Sequence, residues 1–210
     1  MKIDTLILGA YETNCYVLRS DHAAKDCLVV DPGLDAGCLI DFLEEQELNP
    51  VAVVLTHGHI DHIAGLAALR ERFAGTKVYI HTLDAKMLTD PYANLSAMHG
   101  MAFTTEPEEV ALNESDVIEQ AGIKLQVLHT PGHTPGGICL YSQEESVAFV
   151  GDTLFAGSIG RTDFPGGSMP KLLSSVEEKL FTLPGDTDAY PGHGPATTIA
   201  REKAHNPFFQ

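Results

Sequence analysis

The stretch "VAVVLTHGHIDHIAG", residues 51–65, limits what this chain can fold into more than any other. An apolar run typical of a buried β-strand is followed at once by His57, His59, Asp61 and His62. Closely spaced imidazoles repel one another when they are protonated, so such a cluster is stable mainly when a cation lies among neutral rings. The stretch therefore predicts a metal site at the end of a buried strand, with further ligands elsewhere in the chain.

Three other strand ends carry residues that could complete this site. His133 lies in "TPGHTPGG", Asp152 in "FVGDTLF" and His193 in "YPGHGPA", each after an apolar run and beside glycine. Glycine turns let the backbone pass close to a bound ion while a neighbouring side chain points inward. Five histidines and two aspartates suffice for two divalent ions, with one carboxylate bridging them.

Length and composition predict one globular domain spanning residues 1–210. Apolar residues make up 44% of the chain and charged residues 20%, as in ordinary soluble proteins. No apolar run approaches the roughly 18 residues that a membrane span needs. We read no secretory signal at the N-terminus, and we expect a cytoplasmic protein without membrane contact.

Cysteine spacing and charge exclude two further classes of function. The four cysteines form no C-x-x-C pair and lie among apolar neighbours, so we expect free, mostly buried thiols rather than disulfides. The formal net charge is −16, and a field of that sign repels the phosphates of nucleic acid. The expected partner is therefore a small molecule.

The order of predicted elements indicates an α/β protein. Short strands alternate with turns and helices in both halves, which favours a layered sandwich with ligand loops at one edge. One helix is predicted through "IAGLAALRERF", and another near "PKLLSSVEEKLF". Residues 82–116 have few strand signals and are interpreted as a helix-containing excursion over the surface.

The pattern H-x-H-x-D-H, followed by a distant histidine, an aspartate and a last histidine, resembles the metallo-β-lactamase superfamily. The resemblance runs from "VVDPG", which contains Asp31, to "GHGP". It implies a four-layered αββα sandwich in which Asp31 supports the site from beneath. It also implies one ion held by His57, His59 and His133, a second held by Asp61, His62 and His193, and Asp152 bridging them.

Such a pair of ions lowers the pKa of a shared water from about 16 to about 7, and the resulting hydroxide can attack an acyl carbonyl. Asp61 is the expected catalytic residue because it can orient that hydroxide. Zinc is the expected metal, with iron or manganese as alternatives, since imidazole and carboxylate bind all three.

The loop "DTLFAGSIGRTDFPGG" resembles the glyoxalase II branch, the hydroxyacylglutathione hydrolases, which cleave thioesters. The resemblance implies that Arg161 faces the thiol carrier of an acyl-thiol substrate; pairing of Arg161 with Asp163 is the alternative. A thiolate, whose conjugate thiol has a pKa of about 8.5, leaves without a strong general acid. We also expect this chain to lack the C-terminal helical domain with which well-known glyoxalase II enzymes bind glutathione.

Other activities remain open at this point. Persulfide dioxygenases share a similar "GRTDF" loop and use one iron, for which His57, His133 and Asp152 would suffice. The retained His193 and the "RTDFPGG" variant favour a hydrolase instead. A lactonase or a non-catalytic metal scaffold is a further alternative. The sequence does not indicate the acyl group, the thiol carrier or the oligomeric state.

Overall fold

The protein is described from a computed structural model that covers residues 1–210. The first of its two large sheets has its strands in chain order: β1 (Lys2–Leu8), β2 (Thr13–Arg19), β3 (Asp26–Val30), β4 (Asn49–Val54), β5 (Lys77–His81) and β6 (Val110–Leu112). The first three strands pair antiparallel, and β3 to β6 run parallel. The parallel part brings the carboxyl ends of β4 and β5 to one edge of the sheet.

The second large sheet has the order β14-β13-β10-β9-β8-β7. Its strands are β7 (Val117–Gln120), β8 (Ile123–His129), β9 (Ile138–Ser142), β10 (Val147–Gly151), β13 (Asp188–Pro191) and β14 (Thr197–Thr198). Strands β10 and β13 are parallel, so the loops after them leave the sheet at the same edge. A small hairpin of β11 (Leu154–Phe155) and β12 (Ser158–Ile159) follows β10.

Three apolar layers hold the sandwich together. One joins the first sheet to the helices α1 (Ala36–Glu45) and α3 (Leu66–Arg72). The second lies between the two sheets, and Phe149 is the largest fully buried side chain there. The third joins the second sheet to α4 (Met169–Ser175), the π-helical turn Val176–Leu180 that continues it, and α5 (Ile199–His205). Helices therefore cover both outer faces, which confirms the predicted four-layered αββα sandwich.

Two local predictions differ from the structure. The helix predicted through residues 63–73 is divided into α2 (Ile60–Ile63) and α3, because Gly65 lies against the preceding loop. Its amide donates to the Pro32 carbonyl at 2.8 Å, and a side chain at position 65 would collide with that loop. The excursion over residues 82–116 contains strand β6, whose pattern was missed because it is only three residues long.

The cysteines and the helices bear on two further expectations from the sequence. All four cysteines are free; Cys15, Cys27 and Cys139 are buried, while Cys38 is exposed. None of the helices combines the length and the apolar character that crossing a bilayer would require.

Candidate metal centre

The structure brings all seven predicted ligands together at the edge where the parallel strands end. His57 and His59 follow β4, and Asp61 and His62 lie in the short helix α2. The other three lie in the loops after β8, β10 and β13: His133, Asp152 and His193. Loops at the carboxyl ends of strands are where layered α/β proteins place ligand sites.

Three buried histidines form what we call the imidazole group: His57, His59 and His133. Their ligand nitrogens lie within 4.8 Å of one another, and the three residues are 2%, 5% and 4% exposed. Burial lowers the pKa of His57 well below its ordinary value and that of His59 to about 3. Both rings are therefore neutral at pH 7 and can offer a nitrogen lone pair to a cation.

A second set, the mixed group, consists of Asp61, His62 and His193. Their ligand atoms also lie within 4.8 Å of one another, and His193 Nε2 is 3.2 Å from Asp61 Oδ2. Burial lowers the pKa of His62, but Asp61, Asp152 and Asp31 outweigh it and raise that pKa to about 10. The carboxylates thus make this position attractive to positive charge, whether it is carried by a proton or by a metal ion.

Asp152 lies between the two groups and is shared by them. Its Oδ2 atom is 3.6 Å from His133 Nε2 and 3.7 Å from His193 Nε2, while its Oδ1 atom is 3.5 Å from His62 Nε2. The Oδ2 atom thus approaches both groups, and the Oδ1 atom approaches His62 of the mixed group. This arrangement suits the bridging role that the superfamily resemblance implies.

Unpaired polar atoms in the centre fit the chemistry of a bound cation. His57 Nε2, His62 Nε2 and Asp152 Oδ1 are buried and have no hydrogen-bond partner. Buried polar atoms are almost always satisfied, and leaving one unpaired costs about 1–3 kcal/mol. Three such atoms pointing toward one another indicate ligands for metal ions, and imidazole nitrogen with carboxylate oxygen is a donor set that zinc, iron and manganese all accept.

Asp31 supports the centre from beneath, as the resemblance implies. One oxygen accepts the Thr56 amide at 2.8 Å, and the other accepts the Thr56 hydroxyl at 2.6 Å and His62 Nδ1 at 2.9 Å. A carboxylate on the far nitrogen of a ligating imidazole fixes its tautomer and strengthens it as a ligand. Asp31 therefore directs His62 Nε2 toward the mixed group.

A second buried aspartate, Asp84, was missed by sequence reasoning. Its oxygens accept the Thr134 hydroxyl at 2.7 Å and the Gly136 amide at 2.6 Å. It also receives a backbone hydrogen bond from Gly58, and burial raises its pKa. Asp84 thus joins the loop of His57 and His59 to the loop of His133. Its position three residues after β5 was the available signal, since Asp152 was found by the same strand-end rule.

Backbone carbonyls orient two further ligands. His133 Nδ1 donates to the Arg161 carbonyl at 2.7 Å, and His193 Nδ1 donates to the Tyr11 carbonyl at 3.0 Å. Each bond turns the Nε2 atom of its ring toward the centre, where His133 Nε2 lies 2.9 Å from His59 Nδ1 and His193 Nε2 lies 3.2 Å from Asp61 Oδ2. Tyr11 was not predicted, because nothing in its local sequence marks a contact with a histidine near the other end of the chain.

Arg161 lies at the rim of the centre, but its charge is already paired. Its guanidinium donates twice to Asp163, at 2.7 Å each, and lies 3.9 Å from the centroid of the Phe164 ring. Phe164 in turn packs edge-to-face on His59, with ring centroids 5.5 Å apart. The pairing with Asp163 is the alternative that the sequence offered, and it orders the loop that carries Phe164.

The chain is similar in sequence to proteins of one known superfamily. The family model of the metallo-beta-lactamase superfamily matches residues 8–193. An uncharacterized protein of Mycobacterium tuberculosis is 41% identical over 96% of this chain and 95% of its own length. The hydroxyacylglutathione hydrolase GloC of Haemophilus influenzae is 37% identical over 99% of this chain and 98% of its own length.

Solved structures resemble the chain over nearly its whole length. The BLEG-1 B3 metallo-beta-lactamase has a TM-score of 0.95 and 42% identity, with both chains fully covered. TTHA1623, solved in a di-iron-bound form, has a TM-score of 0.85 and 36% identity over 98% of this chain and 99% of its own. ETHE1 from Myxococcus xanthus has a TM-score of 0.78 and 31% identity over 99% of this chain and 84% of its own.

Proposed function

The chain belongs to the metallo-β-lactamase superfamily, and we propose that it is a dinuclear metal-dependent hydrolase that cleaves thioesters. The main support is that two complete three-residue groups meet at Asp152. A mononuclear enzyme would not require the mixed group, in which Asp31 holds His62 and the Tyr11 carbonyl holds His193. The chain is further proposed to act as one domain over residues 1–210.

Under this proposal the imidazole group would hold one ion, the mixed group would hold the other, and Asp152 would serve both. Zinc is the proposed metal, and iron is the alternative because a structural neighbour binds two iron ions. Divalent ions supply Lewis acidity, which lowers the pKa of water to about 7 and polarises a carbonyl. The protein would contribute seven ligands, and three of their rings, those of His62, His133 and His193, are oriented by Asp31 and by two carbonyls.

Asp61 is the proposed catalytic residue. Burial raises the pKa of this carboxyl, but His62 and His193 outweigh it and hold the pKa well below its ordinary range. The carboxylate is therefore ionised at neutral pH and can accept a hydrogen bond from the attacking water. Because Asp61 also lines the cavity beside the centre, it can orient that water toward a substrate carbonyl.

Few proton donors line the cavity, and this favours a leaving group that departs without being protonated. No lysine lines the cavity, and the Tyr11 hydroxyl is 2.8 Å from His99 Nδ1. An amine leaving group needs a proton from a general acid, whereas a thiolate does not, since thiols have a pKa of about 8.5. A thioester is therefore the acyl substrate that best suits these residues. Arg161 is proposed to contact the thiol portion from the rim of the cavity.

Counting metals and measuring thiol release on the same sample tests the proposal. Purified protein should contain close to two ions per chain and should release thiol from acyl thioesters, with both properties lost on chelation. Reconstitution with zinc, iron or manganese, followed by the same assay, identifies the active metal. A protein with two ions that releases thiol from no thioester would contradict the thioester assignment while leaving the metal centre intact.

Two other activities are considered because a structural neighbour bears on each of them. β-Lactam hydrolysis is supported by the 42% identical B3 metallo-beta-lactamase and would use the same two ions. Persulfide oxidation is the alternative that the "GRTDF" loop offers, and it would use one iron on His57, His133 and Asp152; ETHE1 from Myxococcus xanthus is the structural neighbour to compare for it. Oxygen uptake with a persulfide, at one iron per chain, would favour the dioxygenase over either hydrolase.

A further inference from the structure

A cavity of about 410 Å³ opens directly beside the metal centre. Its floor is formed by ligands of both groups and by Asp152, and its walls carry six apolar side chains: Tyr11, Ile60, Leu95, Phe155, Ile159 and Phe164. Cavities of a few hundred Å³ with apolar walls and a few polar groups are typical of small-molecule sites. A substrate that reaches the ions therefore contacts these walls as well.

The aromatic walls lie directly against the ligands. Phe164 packs edge-to-face on His59 of the imidazole group, and Phe155 packs edge-to-face on His193 of the mixed group at 6.3 Å. Phe155 and Phe164 are both only partly buried, so each presents ring surface to the cavity. An acyl group bound at the centre would consequently have an aromatic ring on either side of it.

The rim of the cavity is closed on one side by a contact between distant segments. Tyr11, in the loop between β1 and β2, meets His99 with its hydroxyl 2.8 Å from Nδ1 and the two rings 5.6 Å apart. His99 ends the 3-10 helix Ser96–His99, next to the buried Leu95 of the same wall. This contact uses the polar end of Tyr11 and leaves its ring facing the cavity.

Apart from ions held at its floor, the cavity offers an anionic substrate one cationic side chain, and that side chain is already paired. Arg161 is the only lysine or arginine that lines it, and its Nε and Nη2 atoms both donate to Asp163. An anionic carrier would have to compete with this bidentate pair, which is the strongest form of ion-pair geometry. The chain as a whole carries a formal charge of −16, which further disfavours approach of a polyanionic thiol.

We propose that this cavity recognises an apolar acyl portion, several carbons long or aromatic, on a thiol that carries no charge within the cavity. This inference rests on the proposed thioester hydrolysis and names its substrate class. The side chains of Tyr11, Ile60, Leu95, Phe155, Ile159 and Phe164 would cover the acyl chain of a thioester whose carbonyl lies at the metal centre. Recognition is then by apolar area rather than by ion pairing.

Binding of uncleavable ligands to the metal-loaded protein tests the inference without turnover. The probes are S-alkyl thioethers of N-acetylcysteamine from methyl to octyl, measured by titration calorimetry. Each methylene that enters the cavity should tighten Kd about three- to fourfold, until the walls are covered. A series whose Kd stays within twofold from methyl to hexyl would overturn the proposal.

Phe155→Ala, with Phe208→Ala as the matched control, localises the effect. Phe208 is an exposed phenylalanine that does not line the cavity. Phe155→Ala should weaken hexyl binding about five- to tenfold and methyl binding less than twofold, while Phe208→Ala should change neither. Equal weakening of both ligands, with metal content and melting temperature unchanged, would contradict the proposed wall.

Turnover then separates this inference from the function on which it rests. The kcat/KM of hexanoyl-N-acetylcysteamine should exceed that of acetyl-N-acetylcysteamine at least tenfold, and should be at least equal to that of hexanoyl-glutathione. A preference of tenfold or more for glutathione thioesters of any acyl length would overturn it. If no thioester is cleaved, the proposed function fails, while the thioether series still decides whether the cavity binds apolar chains.

Discussion

The imidazole group and the mixed group lie side by side, yet they are built on different principles. The imidazole group contains three buried rings, none more than 5% exposed, and burial lowers the pKa of two of them, His57 and His59. In the mixed group the His62 ring is fully buried, but the side chains of Asp61 and His193 are 19% and 27% exposed. The first group thus depends on burial and lone pairs, and the second on negative charge near solvent.

Each group also has its own supporting aspartate. Asp84 contacts Gly58, Thr134 and Gly136, and so acts on the imidazole group only through the backbone and side chains of its loops. Asp31 contacts His62 of the mixed group directly. The imidazole group is therefore positioned by hydrogen bonds between its loops, whereas the mixed group is positioned by a direct carboxylate–imidazole hydrogen bond. These differences predict separable effects on metal binding.

Removing the residue that both groups share should have the largest effect. In Asp152→Ala the two ions would lose the carboxylate that neutralises both, so metal content and activity should fall together. We expect kcat/KM to decrease by more than the roughly 100-fold that is typical of losing an outer partner. Metal analysis and a thiol-release assay measure both quantities, with the exposed Asp186→Ala as control. Two ions and near-normal turnover in the variant would rule out a bridging role.

Exchanging each supporting aspartate for asparagine should weaken its own group. Asparagine places an amide donor where Asp31 and Asp84 present only acceptors, so it leaves one N–H or O–H of the loop unpaired. Asp31→Asn should lower metal affinity about 10- to 100-fold in the mixed group, and Asp84→Asn by a similar factor in the imidazole group.

Single-group backgrounds distinguish these two effects. In His193→Ala only the imidazole group remains complete, so adding Asp84→Asn should reduce the affinity for the retained ion far more than adding Asp31→Asn. Competition with a calibrated chelator measures both affinities. Equal losses from the two aspartates would mean that the centre behaves as one unit and that the comparison of two groups is wrong.

Sequence reasoning selected seven candidate ligands, which the structure brings together, but not the residues that orient them. All seven ligands follow apolar strands within a few residues, so a local pattern marks each one. The bonds that orient them are non-local: Asp84 reaches Gly136 across 52 positions, and Tyr11 reaches His193 across 182. No periodicity encodes such contacts, because they arise only when two sheets pack face to face. Asp31 was anticipated through the family resemblance alone.

The layered fold could likewise be predicted from the alternation of strands and helices, whereas its interruptions could not. Gly65 divides a helix that otherwise has continuous apolar spacing, since residue 65 lies against the Pro32–Gly33 loop and admits no side chain. Strand β6 has only three residues and is recognisable by its pairing with β5 rather than by its composition. Both features depend on neighbours that are distant in the sequence.

Timed chelation should distinguish the two groups by the rate at which each loses its ion, a smaller effect than the changes in affinity. Because Asp61 and His193 are the more exposed ligands, a chelator should extract the ion of the mixed group first, about tenfold faster than the ion of the imidazole group. Stopped samples assayed for metal per chain should show two phases of equal amplitude. A single phase, or slower loss from a His133→Ala variant that retains the mixed group than from a His193→Ala variant that retains the imidazole group, would indicate that charge rather than burial controls release.

The smallest expected effect concerns Arg161, which lies outside both groups. Its guanidinium is bound by Asp163 and stacked on Phe164, so only a fraction of its charge is offered to a ligand. Arg161→Ala should therefore raise KM for an anionic thioester only about threefold, and change KM for a neutral one by less. Since the carbonyl that orients His133 belongs to the backbone, metal content and kcat should be nearly unchanged.

Asp163→Asn is the informative counterpart, because it frees the guanidinium of Arg161 and should lower KM for anionic thioesters while leaving KM for neutral ones unaffected. If Arg161→Ala instead raises KM for anionic thioesters tenfold or more, the arginine leaves Asp163 to bind substrate, and recognition extends beyond the apolar walls to an ion pair.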